Sequence, residues 1–203
     1  MADVEVFADV SCPFTYVSLM RLLDHMDGVD GLAPHLRVRA WPLEVVNGSP
    51  LSGSDLTSKI AALRRDVAPG LFEGFDPATF PTTTLSALAA EHVAHATDPV
   101  AGLRFSLALR RRLFEDGADI ADPAVLDELV DRAGLRRPSA EDQAAVLRDH
   151  EEGVSRGVKG SPHYFTDTED FFCPTLAIEH DEEGYTMSFD KEGFDRFVSS
   201  AFG

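Results

Sequence analysis

Cys12 is the side chain with the clearest chemical capacity in this sequence. A short apolar strand pattern runs into Ser11-Cys12-Pro13-Phe14-Thr15, and an amphipathic helix pattern follows at once. Cys12 therefore stands at a helix N-terminus, where first-turn N–H groups lack helical partners and the helix dipole favours negative charge. A thiol so placed is favoured as its thiolate, the reactive form. Pro13 suits the first helical position, because its missing N–H would be unpaired there anyway. The residue three after Cys12 is Thr15, not a second cysteine. The spacing predicts that the Thr15 hydroxyl donates to the Cys12 sulfur, which would stabilise a thiolate but could not resolve a disulfide. Near the far end, Gly157-Val158-Lys159-Gly160-Ser161-Pro162-His163-Tyr164-Phe165 reads as a loop, a proline and a strand. His163 lies just past that loop, either bordering a site there or on the surface.

Other chemistry-bearing residues point less clearly. His92 and His95 share one predicted helix face, but no third ligand accompanies them, and no metal site is expected. Trp41 and Phe14 read as core residues first and as the lining of an apolar substrate groove second. The two cysteines, Cys12 and Cys173, do not make a disulfide scaffold.

These residues need a frame, and the sequence supplies one. With 203 residues and 44% hydrophobic content the chain can bury a substantial core. Its net charge of -17 argues against nucleic acid or an anionic membrane surface as partner. No apolar run approaches a membrane span. The opening Met1-Ala2-Asp3-Val4-Glu5 lacks the basic and apolar regions of a secretory signal, so a cytoplasmic location is expected.

Residues 3–9 read as a buried strand, 13–26 as a helix and 36–41 as a second strand closed by Pro42. Helix starts then recur: Ser54-Asp55, Thr84, Asp98-Pro99, Asp122-Pro123 and Ser139-Ala140-Glu141-Asp142, with stops at Pro69-Gly70, His95, Gly117, Gly134 and Gly157. After Pro162 the strand pattern returns over 162–166 and Phe171-Phe172-Cys173. A turn at Asp181-Glu182-Glu183-Gly184, an extended stretch over Tyr185–Phe189 and a helix over 191–202 follow. The order is β-α-β, helical block, β-β-α: an α/β core interrupted by an all-helical insertion. The division is 1–46 and 156–203 for the core and 47–155 for the insertion.

Three segments in this order resemble the DsbA family of thioredoxin-fold proteins, particularly its cytoplasmic branch. They are Asp9-Val10-Ser11-Cys12-Pro13-Phe14-Thr15-Tyr16, then Phe114-Glu115-Asp116-Gly117-Ala118-Asp119-Ile120-Ala121-Asp122-Pro123, then Gly157-Val158-Lys159-Gly160-Ser161-Pro162. The resemblance spans nearly the whole chain. It implies a thioredoxin-like fold, thiol–disulfide exchange at Cys12, and a cis Ser161–Pro162 bond facing it. It also implies that Ser161 presents its backbone to an extended thiol peptide, with Pro13, Phe14 and His163 beside it. Thr15 departs from the family's pair of cysteines, one of which attacks while the other resolves. Related kappa-class glutathione transferases and 2-hydroxychromene-2-carboxylate isomerases also lack the pair, carry Ser-Pro where this chain has Cys12-Pro13, and use a bound glutathione thiol.

In the strand order so implied, Cys173 returns to the level of Pro162 but lies two strands from the one leading to Cys12, roughly 10 Å away. A disulfide needs Cα atoms within about 7 Å, so Cys173 reads as a packed structural cysteine beside Phe171 and Phe172. Three functions stand open. The first is a monothiol oxidoreductase acting on protein or small-molecule disulfides, with no permanent cofactor but with glutathione or another small thiol as co-reactant. The second is a thiol-dependent transferase or isomerase, and the third a non-catalytic binding module. The oligomeric state is not legible.

Overall fold

The computed structural model describes residues 4–182 and 184–203. Asp3 of the first expected strand and Glu183 of the late turn lie outside them. Five strands and helices frame the first half of the core: β1 (Val4–Ala8), α1 (Pro13–His25), α2 (Val29–Leu32), β2 (Leu36–Ala40) and α3 (Leu43–Val46). Five of the six residues from Val6 to Ser11 are fully or almost fully buried apolar or small groups, which suits a strand covered on both faces. Helices α4 (Gly53–Asp66), α5 (Leu85–Thr97), α6 (Pro99–Phe114), α7 (Pro123–Arg132) and α8 (Ala140–Ser155) follow. The chain then returns through β3 (His163–Phe165), β4 (Asp170–Phe172), β5 (Leu176–Asp181), β6 (Gly184–Phe189) and α9 (Lys191–Phe202).

The main sheet has the order β2-β1-β3-β4. β1 and β2 run parallel, joined by α1, while β3 is antiparallel to both β1 and β4. This is the thioredoxin-like arrangement, with the helical block between β2 and β3. Side chains alternate across the sheet. Val4, Val6, Ala8, Tyr164 and Phe171 pack with Leu19 and Leu22 of α1, Leu103 and Leu107 of α6, and Phe194 and Phe197 of α9. On the opposite face Phe7 meets Trp41 and Phe165 edge-on. There α8 closes over the sheet through Asp149 and Glu152, which pair with Arg39 of β2. Gly153 of α8 allows that approach, because a Cβ there would lie 2.6 Å from a Trp41 ring carbon.

The helix starts follow local chemistry. Asp98, Asp122 and Ser139 accept from the N–H groups of Ala101, Ala124 and Asp142, and Pro99 and Pro123 occupy first-turn positions. Glu115, just after α6, takes the N–H groups of Phe72 and Glu73 at 2.9 and 3.0 Å. Phe114 packs on Tyr16 and Phe72. The 114–123 segment thus locks the insertion onto the start of α1.

Several elements differ from the sequence reading. α2 and α3 are single turns with no periodicity to reveal them. Leu176–Asp181 forms a full strand although only Leu176 is buried. It pairs with β6 in a separate two-stranded sheet, not with the main one. That hairpin rests on α4, where Asp66 accepts from Met187 N–H at 3.0 Å and Lys59 lies over the Tyr185 ring. The stop of the second insertion helix comes at Thr97, two residues beyond His95.

Candidate thiol site

β1 ends at Ala8, and a turn over residues 9–12 hands the chain to α1. Cys12 is the N-cap of α1, with extended backbone angles, and its side chain makes no capping bond. The first turn therefore keeps unpaired N–H groups beside the sulfur. Cys12 is only 3% exposed. Its S–H donates to the Ser161 carbonyl oxygen at 3.0 Å. A carbonyl can only accept, so this contact holds the neutral thiol.

The Ser161–Pro162 peptide bond is cis. Ser161 is the hub of the site. Its hydroxyl accepts from Asp9 N–H at 3.0 Å and bonds the Thr15 hydroxyl at 2.9 Å, while its carbonyl takes Cys12. Pro13, Thr15 and Ser161 are buried, and Phe14 is partly exposed. The site thus gathers Cys12, Pro13, Thr15, Ser161 and Pro162 from two segments about 150 residues apart.

Thr15 differs from its expected bonding. Its hydroxyl, completely buried, points to the Ser161 hydroxyl rather than to the Cys12 sulfur. The reason is steric order in the first turn: the loop carrying Ser161 fills the space over Cys12, and Ser161 offers a better acceptor than a thiol does. His163 is neither at the surface nor free to meet a ligand. It is 1% exposed, its Nε2 bonds Asp170 at 2.8 Å, and its Nδ1 accepts from Lys159 N–H at 3.0 Å. Burial lowers its pKa in spite of Asp170. Its strand neighbour Tyr164 faces α1, so alternation turns His163 to the other side of the sheet, between Phe165 and Phe172. Trp41 is buried and packs on Phe7 and His150.

Cys173 follows β4, and its N–H donates to Pro162 O at 3.0 Å, which extends the β3–β4 register to the level of the cis bond. Both cysteines are free. Burial, and then the neighbouring Cys12, pushes the Cys173 thiol up to about 12. Beneath α1, Ser18 bonds the hydroxyls of Tyr164 and Thr175 at 2.7 Å each, and burial raises the Tyr164 pKa.

Sequence reasoning missed Asp9. Its carboxylate is completely buried yet accepts four hydrogen bonds. An aspartate three residues before a helix-capping cysteine was the available signal. Two surface grooves lie elsewhere. One of about 630 Å³ runs past Val4, Leu36, Arg37 and His95, at the end of the sheet opposite Cys12. One of about 500 Å³ lies between α6 and α7. Among the described residues no cluster of three metal-ligating side chains occurs.

Comparison with known proteins finds the same fold. No curated protein matches the chain in sequence. Three solved structures share its fold. A provisionally named protein disulfide isomerase from Nitrosomonas europaea superposes with a TM-score of 0.65 at 16% identity, covering 98% of both chains. A 2-hydroxychromene-2-carboxylate isomerase gives 0.59 at 17% identity, over 83% of this chain and 87% of that one. The cytosolic disulfide reductase DsbM from Pseudomonas aeruginosa gives 0.55 at 14% identity, over 98% of this chain and 93% of that one, and has also been solved with GSH (TM-score 0.54, 15% identity). The model of the DSBA-like thioredoxin domain matches residues 3–183, nearly the full length, and the chain therefore belongs to that family.

Proposed function

We propose that this protein is a thiol–disulfide oxidoreductase that works through one cysteine, Cys12, together with a small thiol such as glutathione. The observation that carries this reading is the seating of the Cys12 sulfur at a helix N-terminus, 3.0 Å from the carbonyl beside a cis-proline, with a threonine and no thiol in the first helical turn. The Cys12 thiolate attacks a mixed disulfide between a protein and a small thiol. The new bond joins Cys12 to the small thiol, and the protein sulfur leaves as a thiolate that takes up a proton. A second small thiol, as its thiolate, attacks that adduct. Cys12 leaves as a thiolate and the two small thiols depart as their disulfide. Atoms and electrons balance without another oxidant or reductant.

In this reading Ser161 and Pro162 present backbone to the substrate by strand-like pairing. Pro13 and Phe14 border the sulfur, and Thr15 holds Ser161 in place. Residues 1–46 and 156–203 form the thioredoxin-like unit around the insertion 47–155. The chemistry suits the cytoplasm, where small thiols are reduced and abundant. A time course of the reduction of a protein–glutathione mixed disulfide by reduced glutathione tests it. Cys12→Ser should lose at least about 100-fold in rate; retention of the rate would end the proposal.

The fold shared with a 2-hydroxychromene-2-carboxylate isomerase favours one second reading, a thiol-dependent transferase or isomerase. Conjugation of a model electrophile that needs added glutathione and survives Cys12→Ser would select it.

A further inference from the structure

We infer that Asp9 is the positioning residue for Cys12, the point at which the helical insertion grips the turn that presents the sulfur; this rests on the proposed role of Cys12. Four donors converge on its buried carboxylate. Oδ1 takes the N–H and the hydroxyl of Ser11, both at 2.8 Å. Oδ2 takes Leu43 N–H at 2.7 Å and the Thr84 hydroxyl at 3.1 Å. The backbone of the same residue is held as firmly. Its N–H donates to the Ser161 hydroxyl, and its carbonyl accepts from Cys12 N–H and from Arg110 Nη2, both at 3.3 Å.

These contacts come from every part of the fold around the sulfur. Ser11 and Cys12 belong to the turn itself, Leu43 opens α3, Thr84 caps α5, Arg110 lies on α6, and Ser161 precedes the cis bond. Two backbone N–H donors cannot reverse, so the carboxylate is the one short side chain that satisfies both while reaching the Ser11 and Thr84 hydroxyls. Asparagine would turn one acceptor into a donor aimed at an N–H.

The charged groups facing Asp9 are few. Arg110 is fully buried and is neutralised by Glu91, 2.7 Å away. Glu44 of α3 is turned to Thr83 and Thr84, where its oxygens accept the Thr83 hydroxyl at 2.9 Å and Thr84 N–H at 2.7 Å. No cation ends on the Asp9 carboxylate itself among the described residues. Burial raises its pKa, and the four donors act against that rise. The carboxyl fixes the turn on both sides, through Ser11 beside the sulfur and through Leu43 and Thr84 behind it, so its loss frees the seat of Cys12.

The test measures iodoacetamide alkylation of Cys12 and exchange with oxidised glutathione, each from pH 6 to 9, in the full chain. Asp9→Asn should slow exchange by about tenfold or more across the pH range but slow alkylation by less than about threefold, because the smaller reagent demands less of the sulfur's orientation. Thr84→Val removes one donor from a residue remote in sequence and should slow exchange by about two- to fivefold. Melting curves establish that each variant folds; if Asp9→Asn does not, Thr84→Val decides alone. Folded variants with the wild-type exchange rate overturn the inference. A wild-type Cys12 that does not exchange at all overturns instead the function proposed for it.

Discussion

Cys12 and Cys173 carry the same thiol into opposite settings. Cys12 faces unpaired first-turn N–H groups, and its hydrogen is held by the Ser161 carbonyl. Cys173 sits among apolar groups with its thiol pushed up to about 12. Its backbone adopts a φ of 47°, in the left-handed region, where an L side chain is strained. A folded protein should therefore lose Cys12 to iodoacetamide within minutes to hours at pH 8, while Cys173 reacts only after denaturation. Peptide mapping of the alkylated protein checks this, and equal labelling of both cysteines would contradict it. The sequence made the place of Cys12 legible because the cue was local: a strand, a proline and a helix within a few residues. It did not reveal that Thr15 bonds Ser161 or that His163 bonds Asp170. The first pairing joins residues 146 apart, and the second depends on a hairpin register that the alternation of three-residue strands cannot set. The place of Asp9 before Cys12 was readable, but its partners Leu43 and Thr84 were not, because they lie 34 and 75 residues away.

The helix boundaries were legible wherever a cap was short-range. Asp98, Asp122 and Ser139 each close on an N–H two or three residues ahead, and no distant partner is needed. The packing between helices was not legible. Gly102 of α6 lets α5 lie close, since a Cβ there would meet His95 Nδ1 at 2.2 Å. The price is a histidine whose Nε2 is sealed from solvent without a partner. Burial first, with Arg37 and Arg110 adding to it against Glu91, lowers its pKa to about 4. In the unfolded chain His95 titrates near the ordinary 6.5, so between pH 6.5 and 4 the unfolded state binds more protons. The contribution to stability is complete above 6.5 and is lost as pH falls towards 4. His95→Gln should flatten the fall of melting temperature across that window, and the difference between the two curves isolates this group from the carboxylates. Identical slopes for both proteins between pH 6.5 and 4 would contradict it.

At the scale of the molecule, the chain builds half of one sheet, leaves it for α3 to α8, and comes back to place Ser161-Pro162 opposite Cys12. The order of elements was readable because each element carries its own period and punctuation. The seat of the β5–β6 hairpin on α4 was not, because its contacts are single bonds between distant surfaces, such as Asp66 to Met187 and Arg65 to the Tyr185 carbonyl. The net charge of -17 leaves acidic groups in excess, and most arginines are drawn into ion pairs or ring contacts.

Exchange through one thiol is tested most directly by mass mapping of the wild-type protein after incubation with oxidised glutathione and trapping of the remaining thiols. A single glutathione on Cys12 is expected, released by reduced glutathione, with Cys173 recovered as a free thiol. A Cys12–Cys173 disulfide, or a Cys12 left unmodified, would contradict it.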